Sequence, residues 1–553
     1  MASAAPIPLL TPTVSKREWC MHARLRYGLE KREQPVASEI TAHYEWLSIS
    51  VICFVGVLLR LFSPAMKSDL WYDEVCSFVV ASQPFGRMMR VIYLGADTNP
   101  PLYTFLLHFW IKLGNSDTSV KLFSLMFATA STIVLYKLAR QLAGRYVAML
   151  SSCLFTASPS VITYSVEARP YAIFLFLSLL STYSLLSTLQ EAKRPQTCQA
   201  RSGRLWLGYC AASTLLLYTH WFGLLVLAAQ AVALVAYSPS SFRFLRPYLN
   251  SLLLIAGCCL PLILLLRNQL VLQNSVGGYS WPGKPGLRVL TGLGAFLAGG
   301  ENPLALILLL LVAAIIANRA ISQFKRNGGS AVLFLLSYAA LPVVVVFAAS
   351  NLLTNNSFFV NRYFLPFIIS INILSGLALS RLNKRLACVF LLLFWLFPLG
   401  TTVKHWRVTE TQYSQAASEL AAHASSDALI AHLSPMSYYP LLHYRRKQEV
   451  TERILFTHAG TGYETAYNLE GEMLNSDDLI QAGDELHKYL ELWLIIDSTD
   501  KDAHLSEAYE RIRSDGNFIL ESTKQIRSLR LEHYRLRSSG PSRELPELAP
   551  TRT

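Results

Sequence analysis

The amino-acid sequence predicts an α-helical polytopic membrane protein with a small α/β domain near its C-terminal end. Three observations support this fold class. The 553 residues are 52% hydrophobic and only 15% charged, whereas a soluble globular domain usually has about 25% charged residues. The apolar residues occur in long runs as far as residue 403. From residue 404 to residue 537 the composition becomes that of an ordinary soluble domain.

The apolar runs are predicted membrane spans, and there are about eleven of them, each near the ~20 residues that cross a bilayer. They cover residues 46–63, 119–139, 146–163, 171–189, 206–220, 222–238, 248–266, 302–317, 331–350, 362–380 and 386–402. Residues 46–403 therefore form the predicted transmembrane domain. Residues 1–45 are polar and basic, and we expect no cleavable signal peptide there because the first apolar run comes too late.

The distribution of Lys and Arg predicts the orientation of the chain. The net charge is +13, and the basic clusters lie in short segments between apolar runs, as in cytoplasmic loops that face anionic headgroups. This pattern argues against nucleic-acid binding. We expect a multi-pass protein of the plasma (inner) membrane with a cytoplasmic N-terminus. Loop 64–118 and everything after residue 403 are then predicted to be extracytoplasmic.

Two regions outside the spans have predicted structure of their own. In loop 64–118, the Pro100-Pro101 pair precedes residues 102–110, whose pattern predicts an interfacial amphipathic helix. In the C-terminal region, predicted helices alternate with predicted strands, which indicates an α/β domain over 404–537. The helices are 408–424, 477–491 and 502–513, and the strands are 428–431, 492–496, 517–521 and 528–536. The tail 538–553, rich in Pro, Ser and charge, is predicted to be disordered.

The stretch Ser68–Glu74 follows the first span and combines acidic and aromatic residues. A carboxylate in lipid is costly, so Asp73 should lie at the interface or in a water-filled cavity. Asp73 could be a general base that takes a proton from an acceptor hydroxyl, with Glu74 helping to hold a metal or to orient the base. Alternatively, the pair is a solvated cap on the following helix.

A second acid, Asp97, is expected on the same side of the membrane as Asp73. Two carboxylates brought together there could bind Mg²⁺ or Mn²⁺, and the cation would neutralise a phosphate leaving group. Alternatively, Asp97 merely precedes the helix that the proline pair begins. The nine cysteines show neither metal-ligand nor disulfide spacing, so they predict no zinc site.

Two arginines on the same side are candidates for binding a phosphate. Arg169 lies between two spans, and its guanidinium could bind a phosphate while Glu167 holds the guanidinium in place. Alternatively, the two residues form only an internal ion pair. Arg362 opens a later span and could receive a lipid phosphate, or it snorkels to the interface. His220 lies in an external turn, where contact with a sugar or a donor phosphate competes with a role in an aromatic belt.

Five motifs occur together in an order that resembles the membrane glycosyltransferases of the GT-C fold. The likeness is strongest to the bacterial branch related to protein O-mannosyltransferases and aminoarabinose transferases. It covers about residues 46–403, and the C-terminal domain is also similar to domains in such proteins. The motifs are Asp73-Glu74, Asp97-x-Asn99-Pro100-Pro101-Leu102-Tyr103, Glu167-Ala168-Arg169-x-Tyr171, Tyr218-Thr219-His220-Trp221-Phe222-Gly223 and Arg362-Tyr363-x-x-Pro366. Many relatives have His where this chain has Asn99, so no chemical role is assigned to Asn99.

The resemblance implies roles for particular residues. Asp73 matches the catalytic acid of that family, with Glu74 beside it, and Asp97 matches an acid implicated in catalysis or metal binding. The donor phosphate is then expected to contact three residues, and the rest of the substrate another three. These are Arg169, Arg362 and Tyr363 for the phosphate, and Glu167, Tyr171 and His220 for the substrate.

The expected substrates follow from the predicted side of the membrane. Nucleotide sugars are not available outside the cytoplasmic membrane, so the resemblance implies a polyprenyl-phosphate sugar donor. The acceptor class stays open among a glycan, a lipid and a protein. Direct attack by the acceptor hydroxyl, with Asp73 as base, would invert the anomeric carbon.

Two other classes compete with a transferase. A lipid or saccharide transporter (a flippase) would have polar residues inside its spans and often an inverted repeat, and neither is evident in the sequence. A catalytically inactive scaffold that binds a partner through its C-terminal domain is the other alternative.

Overall fold

A computed structural model describes most of the chain: 43–95, 97–191, 199–237, 242–275, 284–298, 331–352, 357–405, 411–445, 450–456, 479–481, 484–498 and 503–537, with two isolated helical positions, 307 and 314. The predicted N-terminal segment as far as residue 42, the span at 302–317 and the tail 538–553 therefore lie largely or wholly outside the described residues. The chain divides into two units, Met1–Val55 and Gly56–Thr553. Helix α1 (His43–Leu61) starts in the first unit, and all other elements belong to the second.

Helices dominate the region before residue 406. In chain order they are α2 (Pro64–Lys67), α3 (Tyr72–Ser82), α4 (Phe85–Tyr93), α5 (Leu102–Trp110), α6 (Asp117–Ala143), α7 (Arg145–Ala157), α8 (Pro159–Val166), α9 (Tyr171–Glu191), α10 (Gln199–Leu217), α11 (Gly223–Tyr237), α12 (Phe242–Cys258), α13 (Leu260–Ser275), α14 (Arg288–Ala298), α15 (Ala331–Leu352), a 3-10 helix (Asn361–Phe367), α16 (Ile368–Leu379) and α17 (Lys384–His405). A helix is thus present at the predicted residues 102–110, and its position at a membrane interface stays a prediction.

Five of these helical segments are long and apolar enough to cross a membrane: α1, α6, α9, α15 and Asn361–Leu379. Two bent pairs raise the number to seven if each pair is one span: α7 with α8, bent by 61°, and Leu245–Cys258 with Leu260–Val271, bent by 53°. The first bend follows from Pro159, because a proline pushes the preceding residue out of the helical region; Ser158 is extended, with ψ 122°. The protein is an integral membrane protein, and the number of about eleven spans stays a prediction.

Helix α9 lies at the centre of the bundle. It packs against α6, α10 and the 3-10 helix Asn361–Phe367, and its side chains are almost all buried between Tyr171 and Leu179. Gly376 allows α16 to approach α7 closely, since a Cβ at this position would lie 3.0 Å from the Val147 carbonyl oxygen. Small residues commonly permit such contacts between membrane helices. This packing brings the start of α9 next to the start of the 3-10 helix.

The C-terminal domain, residues 411–537, contains a six-stranded sheet. Its strands are β1 (Leu429–His432), β2 (Thr451–Phe456), β3 (Leu479–Gln481), β4 (Glu491–Asp497), β5 (Phe518–Ile526) and β6 (Leu529–Leu536), in the order β3-β2-β1-β4-β6-β5. The neighbours of β1 are parallel to it, whereas β6 is antiparallel to both β4 and β5. Among the described residues of the domain, three helices accompany the sheet: α18 (Gln412–His423), α19 (Pro435–Tyr444) and α20 (Ala503–Ser514).

The central strands β1 and β4 are buried on both faces, as expected for the parallel part of the sheet, whereas the edge strand β5 is largely exposed. Leu429 and Ala431 face one apolar core, and Ile430 faces the other. The predicted helix 477–491 is wrong, because strand β3 and a 3-10 turn (Asp484–Lys488) occupy this stretch. Gly483 disfavours a continuous helix there, and pairing with β2 provides the hydrogen bonds of the edge strand. Helix α19 and strand β2 were not predicted from the sequence.

Candidate active site

The carboxylate of Asp73 lies between two guanidinium groups. Asp73 is in the first turn of α3, where an acidic side chain interacts favourably with the helix dipole. Its Oδ2 atom is 3.4 Å from Arg362 Nη2 and 3.8 Å from Arg169 Nη2. The Asp73 side chain is 24% exposed, so it is sheltered but accessible to a substrate. We refer to these three residues as the Asp73 cluster.

Arg169 is fixed by additional hydrogen bonds from its own side chain. It lies in the turn between α8 and α9, and its Nη1 donates to the Asp73 carbonyl oxygen at 3.1 Å and to Ser77 Oγ at 3.0 Å. Its Nε is buried and has no hydrogen-bond partner among the described residues. The guanidinium therefore joins the turn between α8 and α9 to helix α3. Its Nε–H group remains available to a further acceptor.

Arg362 is surrounded by aromatic rings. Its guanidinium carbon is 5.4 Å from the ring centroid of Trp71, 5.8 Å from that of Tyr171 and 6.0 Å from that of Tyr363. These distances are those of cation–π contacts. The rings restrict the side chain while leaving its charge at Asp73. The planar guanidinium fork is thereby suited to binding two oxygens of an anion such as a phosphate.

His220 belongs to the aromatic layer behind these rings. It is 4% exposed, stacks on Phe174 with centroids 4.6 Å apart, and contacts the Tyr363 ring edge-on at 5.0 Å. Its Nδ1 accepts a hydrogen bond from the backbone N–H of Phe222 at 3.2 Å. His220 therefore supports Tyr363 from behind, without a direct contact to Asp73 among the described interactions.

Two neighbouring acids, the buried Glu74 and the half-buried Glu167, have different environments. Glu74 accepts two backbone hydrogen bonds, from Ala168 N–H at 2.6 Å and from Trp71 N–H at 3.1 Å, and thus joins the start of α3 to the turn that holds Arg169. Glu167 Oε1 is buried and has no hydrogen-bond partner within the described ranges. Burial, followed by the charge of Glu74, raises the pKa of Glu167 to about 8. Glu167 therefore carries a proton at neutral pH.

Glu167→Gln is expected to stabilise the protein increasingly as the pH rises. Because the pKa of Glu167 is raised on folding, the protonated side chain favours the folded state at low pH, and this contribution is lost as the pH rises through about 8. Glutamine does not titrate. The difference in Tm, variant minus native, should therefore increase between pH 5.5 and pH 9 in detergent-solubilised protein.

The exposed Glu510 provides the matched control for this experiment. Glu510→Gln should change Tm by the same small amount at every pH. A Glu167→Gln difference that is also independent of pH would show that Glu167 is ionised in the folded protein across the range.

The two carboxylates proposed from the sequence as metal ligands have different partners, because Asp73 faces two arginines and Asp97 is hydrogen-bonded within its own loop. Asp97 Oδ1 accepts from Asn99 N–H at 3.0 Å in an Asx turn, and its Oδ2 accepts from the Thr104 hydroxyl at 2.7 Å. Both oxygens are thus used within the loop that starts α5. Within the part of the chain that the structure describes, no group of three or more His, Cys, Asp or Glu side chains could hold a metal ion.

Several residues of this site were not predicted from the sequence. Trp71 packs on Arg362, and Ser77 accepts from Arg169 one turn after Asp73. Lys121, 1% exposed, donates to the carbonyl oxygens of Ala65 at 2.8 Å and Ser68 at 2.6 Å. A signal for Lys121 was available, since a lysine near the start of a predicted span is costly without a partner.

The bundle of long apolar helices and the small α/β domain that follows it have the GT-C fold of membrane glycosyltransferases, as the comparisons with known proteins show. Residues 98–264 match the family model described as dolichyl-phosphate-mannose-protein mannosyltransferase. This match confirms the resemblance drawn from the motifs. No curated protein matches the chain.

Two solved structures show the likeness over nearly the whole chain. The aminoarabinose transferase ArnT from Cupriavidus metallidurans, in its apo state, is 12% identical, with 89% of this chain and 98% of that chain covered and a TM-score of 0.61. The same enzyme bound to undecaprenyl phosphate is 12% identical over 88% of this chain and 97% of that chain, with a TM-score of 0.58.

Proposed function

We propose that this protein is a membrane glycosyltransferase that moves a sugar from a polyprenyl-phosphate donor to an acceptor hydroxyl. The observation that carries the proposal is the Asp73 cluster, with one partly buried acid held between two arginines at 3.4 and 3.8 Å. The fold it shares with ArnT, a structure of which contains undecaprenyl phosphate, supports a lipid-linked donor. The N-terminus is cytoplasmic in this proposal, and the Asp73 cluster and C-terminal domain are outside the plasma (inner) membrane.

The proposed mechanism is a single displacement in which the two arginines of the Asp73 cluster exchange Asp73 for the donor phosphate. In the free enzyme the arginines hold the Asp73 carboxylate, and an arriving donor phosphate competes for their charge-assisted hydrogen bonds. Asp73 then accepts the proton of the acceptor hydroxyl as its oxygen attacks the anomeric carbon. The phosphate leaves with the electron pair of the glycosidic bond, and Arg169 and Arg362 stabilise its charge. Attack opposite the leaving group inverts the anomeric configuration.

The other candidate residues support this arrangement in the proposal. Glu74 positions the Arg169 turn through its hydrogen bond to Ala168. Tyr171 and Tyr363 hold Arg362 by cation–π contacts at the phosphate.

The remaining candidates act at the edges of the substrate site. His220 backs Tyr363. Protonated Glu167 is a hydrogen-bond donor for the sugar, and Asp97 shapes the loop that enters α5.

A divalent cation at Asp73 and Asp97 does not fit the residues present. The Asp97 oxygens are hydrogen-bonded within their own loop, and two guanidinium groups already neutralise Asp73. We propose that the arginines take the role that Mg²⁺ or Mn²⁺ would otherwise have. Dialysis against EDTA should then leave the rate of transfer within about twofold of its initial value, as measured with radiolabelled donor.

A loss of transfer in EDTA that is restored by added Mg²⁺ or Mn²⁺ would contradict this assignment. Restoration by both ions but not by Ca²⁺ would indicate a site that selects small octahedral cations. In that case the ligands would include groups other than Asp73 and Asp97.

The proposed function is tested with purified protein in lipid nanodiscs. A panel of polyprenyl phosphates carrying radiolabelled hexoses or pentoses is incubated with a membrane extract as the source of acceptors. Transfer of label from one donor is the expected result, and NMR of the product should show the inverted anomeric configuration. Retention would overturn the single displacement. Absence of transfer from every donor, together with protein-dependent movement of a fluorescent polyprenyl lipid across vesicles, would support a flippase instead.

A further inference from the structure

The segment that leads into Asp73 is bound by the C-terminal domain. The backbone N–H of Leu70 donates to the hydroxyl of Tyr444 at 2.7 Å. One residue earlier, Asp69 Oδ2 accepts from the backbone N–H of Ser414 at 2.9 Å. Leu70 is fully buried. These contacts join residues more than three hundred positions apart in the chain, and they end three residues before Asp73.

The Tyr444 hydroxyl also connects this segment to the membrane-spanning helix α6. It donates to Asp117 Oδ2 at the start of α6, while the neighbouring His443 approaches Asp117 Oδ1 with its Nε2 at 2.8 Å. The His443 ring also packs edge-on against Phe78 of α3, with centroids 5.1 Å apart. A single hydroxyl thus accepts from Leu70 and donates to Asp117, which fixes its orientation.

Helix α6 also binds the same segment through Lys121, one turn after Asp117. Its ammonium group donates to the carbonyl oxygens of Ala65 and Ser68 at 2.8 and 2.6 Å. Residues 65–70 are therefore bound both by Lys121 of α6 and by Tyr444 of the C-terminal domain. Because α3 begins directly afterwards, displacement of this segment would move Asp73 relative to Arg169 and Arg362.

Within the C-terminal domain, Tyr444 has a rigid support. The next residue, Arg445, forms an ion pair with Glu452 of β2 at 2.6 Å, and the second carboxylate oxygen of Glu452 lies 2.9 Å from His432 Nε2 of β1. All three side chains are at most 5% exposed. Breaking such a buried ionic group is costly, so the end of α19 is tied to the central strands of the sheet.

We propose that Tyr444 is a positioning residue for Asp73, and that the C-terminal domain is thereby a part of the catalytic unit. Its hydroxyl fixes the position of the backbone of segment 68–71 through the hydrogen bond from Leu70. It thereby places the Asp73 carboxylate within reach of the acceptor hydroxyl. This inference rests on the proposed transferase function. Its structural part, the binding of Leu70 by Tyr444, can be measured without any activity.

The test compares Tyr444→Phe with Tyr534→Phe in the full-length protein in nanodiscs. Tyr534 is a matched control because it is also a tyrosine of the C-terminal domain whose hydroxyl donates to a carboxylate, that of Glu532 at 2.7 Å, within the sheet. In Tyr444→Phe, kcat should fall about tenfold or more while KM for the lipid donor stays within about twofold, since misplacement of a reacting group affects the chemical step. Tyr534→Phe should retain the native kcat.

Hydrogen exchange of the Leu70 amide, followed by mass spectrometry, gives the second readout. Exchange at Leu70 should accelerate at least about tenfold in Tyr444→Phe and stay unchanged in Tyr534→Phe, because only the first variant removes its acceptor. Unchanged exchange in Tyr444→Phe would overturn the contact. Faster exchange with native kcat, or an equal loss of kcat in both variants, would overturn the positioning role. If the native protein transfers no sugar, the proposed function fails and exchange alone decides the contact.

Discussion

Asp73→Asn is expected to reduce kcat for sugar transfer by about 10²–10⁴-fold, the range typical for removal of a general base. Asparagine has nearly the same shape as aspartate but cannot accept the acceptor's proton at neutral pH. The substitution also removes the negative charge that competes with the donor for Arg169 and Arg362. KM for the polyprenyl-phosphate donor should therefore stay the same or decrease. Steady-state transfer of radiolabel at varied donor concentration measures both quantities.

A matched control for this substitution lies in the C-terminal domain. Asp515 forms a hydrogen bond with His487 at 2.7 Å, so Asp515→Asn makes the same chemical change at another aspartate that has a side-chain partner. Its kcat should be native. If Asp73→Asn retains native kcat at native protein levels, Asp73 is not the base, and another group near the arginines must accept the proton.

Arg362→Lys is expected to raise KM for the lipid donor by about 10–100-fold, with a smaller decrease in kcat. Lysine retains the positive charge but loses the planar fork that binds two phosphate oxygens. It also makes weaker contacts with the rings of Trp71, Tyr171 and Tyr363, which hold the guanidinium at 5.4–6.0 Å. Equilibrium binding of a polyprenyl phosphate without sugar should weaken in parallel, because the phosphate is the shared group.

The control for this variant is Arg381→Lys, which changes an exposed arginine beyond the other end of α16. It should leave KM unaltered. If Arg362→Lys lowers kcat while the binding of polyprenyl phosphate stays native, Arg362 acts through Asp73 and not through the phosphate. The proposed division between base and anion site would then be wrong.

Much of this protein follows from local features of the sequence. Long apolar runs predict membrane helices, because each backbone polar group in lipid must be hydrogen-bonded within its own segment; five of the helical segments are long and apolar enough to be such spans. The polar motifs at the ends of these runs made Asp73, Arg169 and Arg362 candidates for the site, since charged residues at such places are costly unless they are paired or functional. Strands 492–496 and 528–536 were predicted from hydrophobic pattern alone, because they are short runs that are either rich in Leu and Ile or alternating in polarity.

The tertiary structure alone decided which of these residues meet. Arg169 and Arg362 follow Asp73 by 96 and 289 positions, and no periodicity relates side chains at such separations. It also distinguished two acids that look alike in the sequence: Asp73 faces two arginines, whereas Asp97 binds its own loop. The link through Tyr444 could not be predicted at all. Sequence patterns report the burial and period of a segment, but the role of a polar side chain depends on distant partners that only the packed chain supplies.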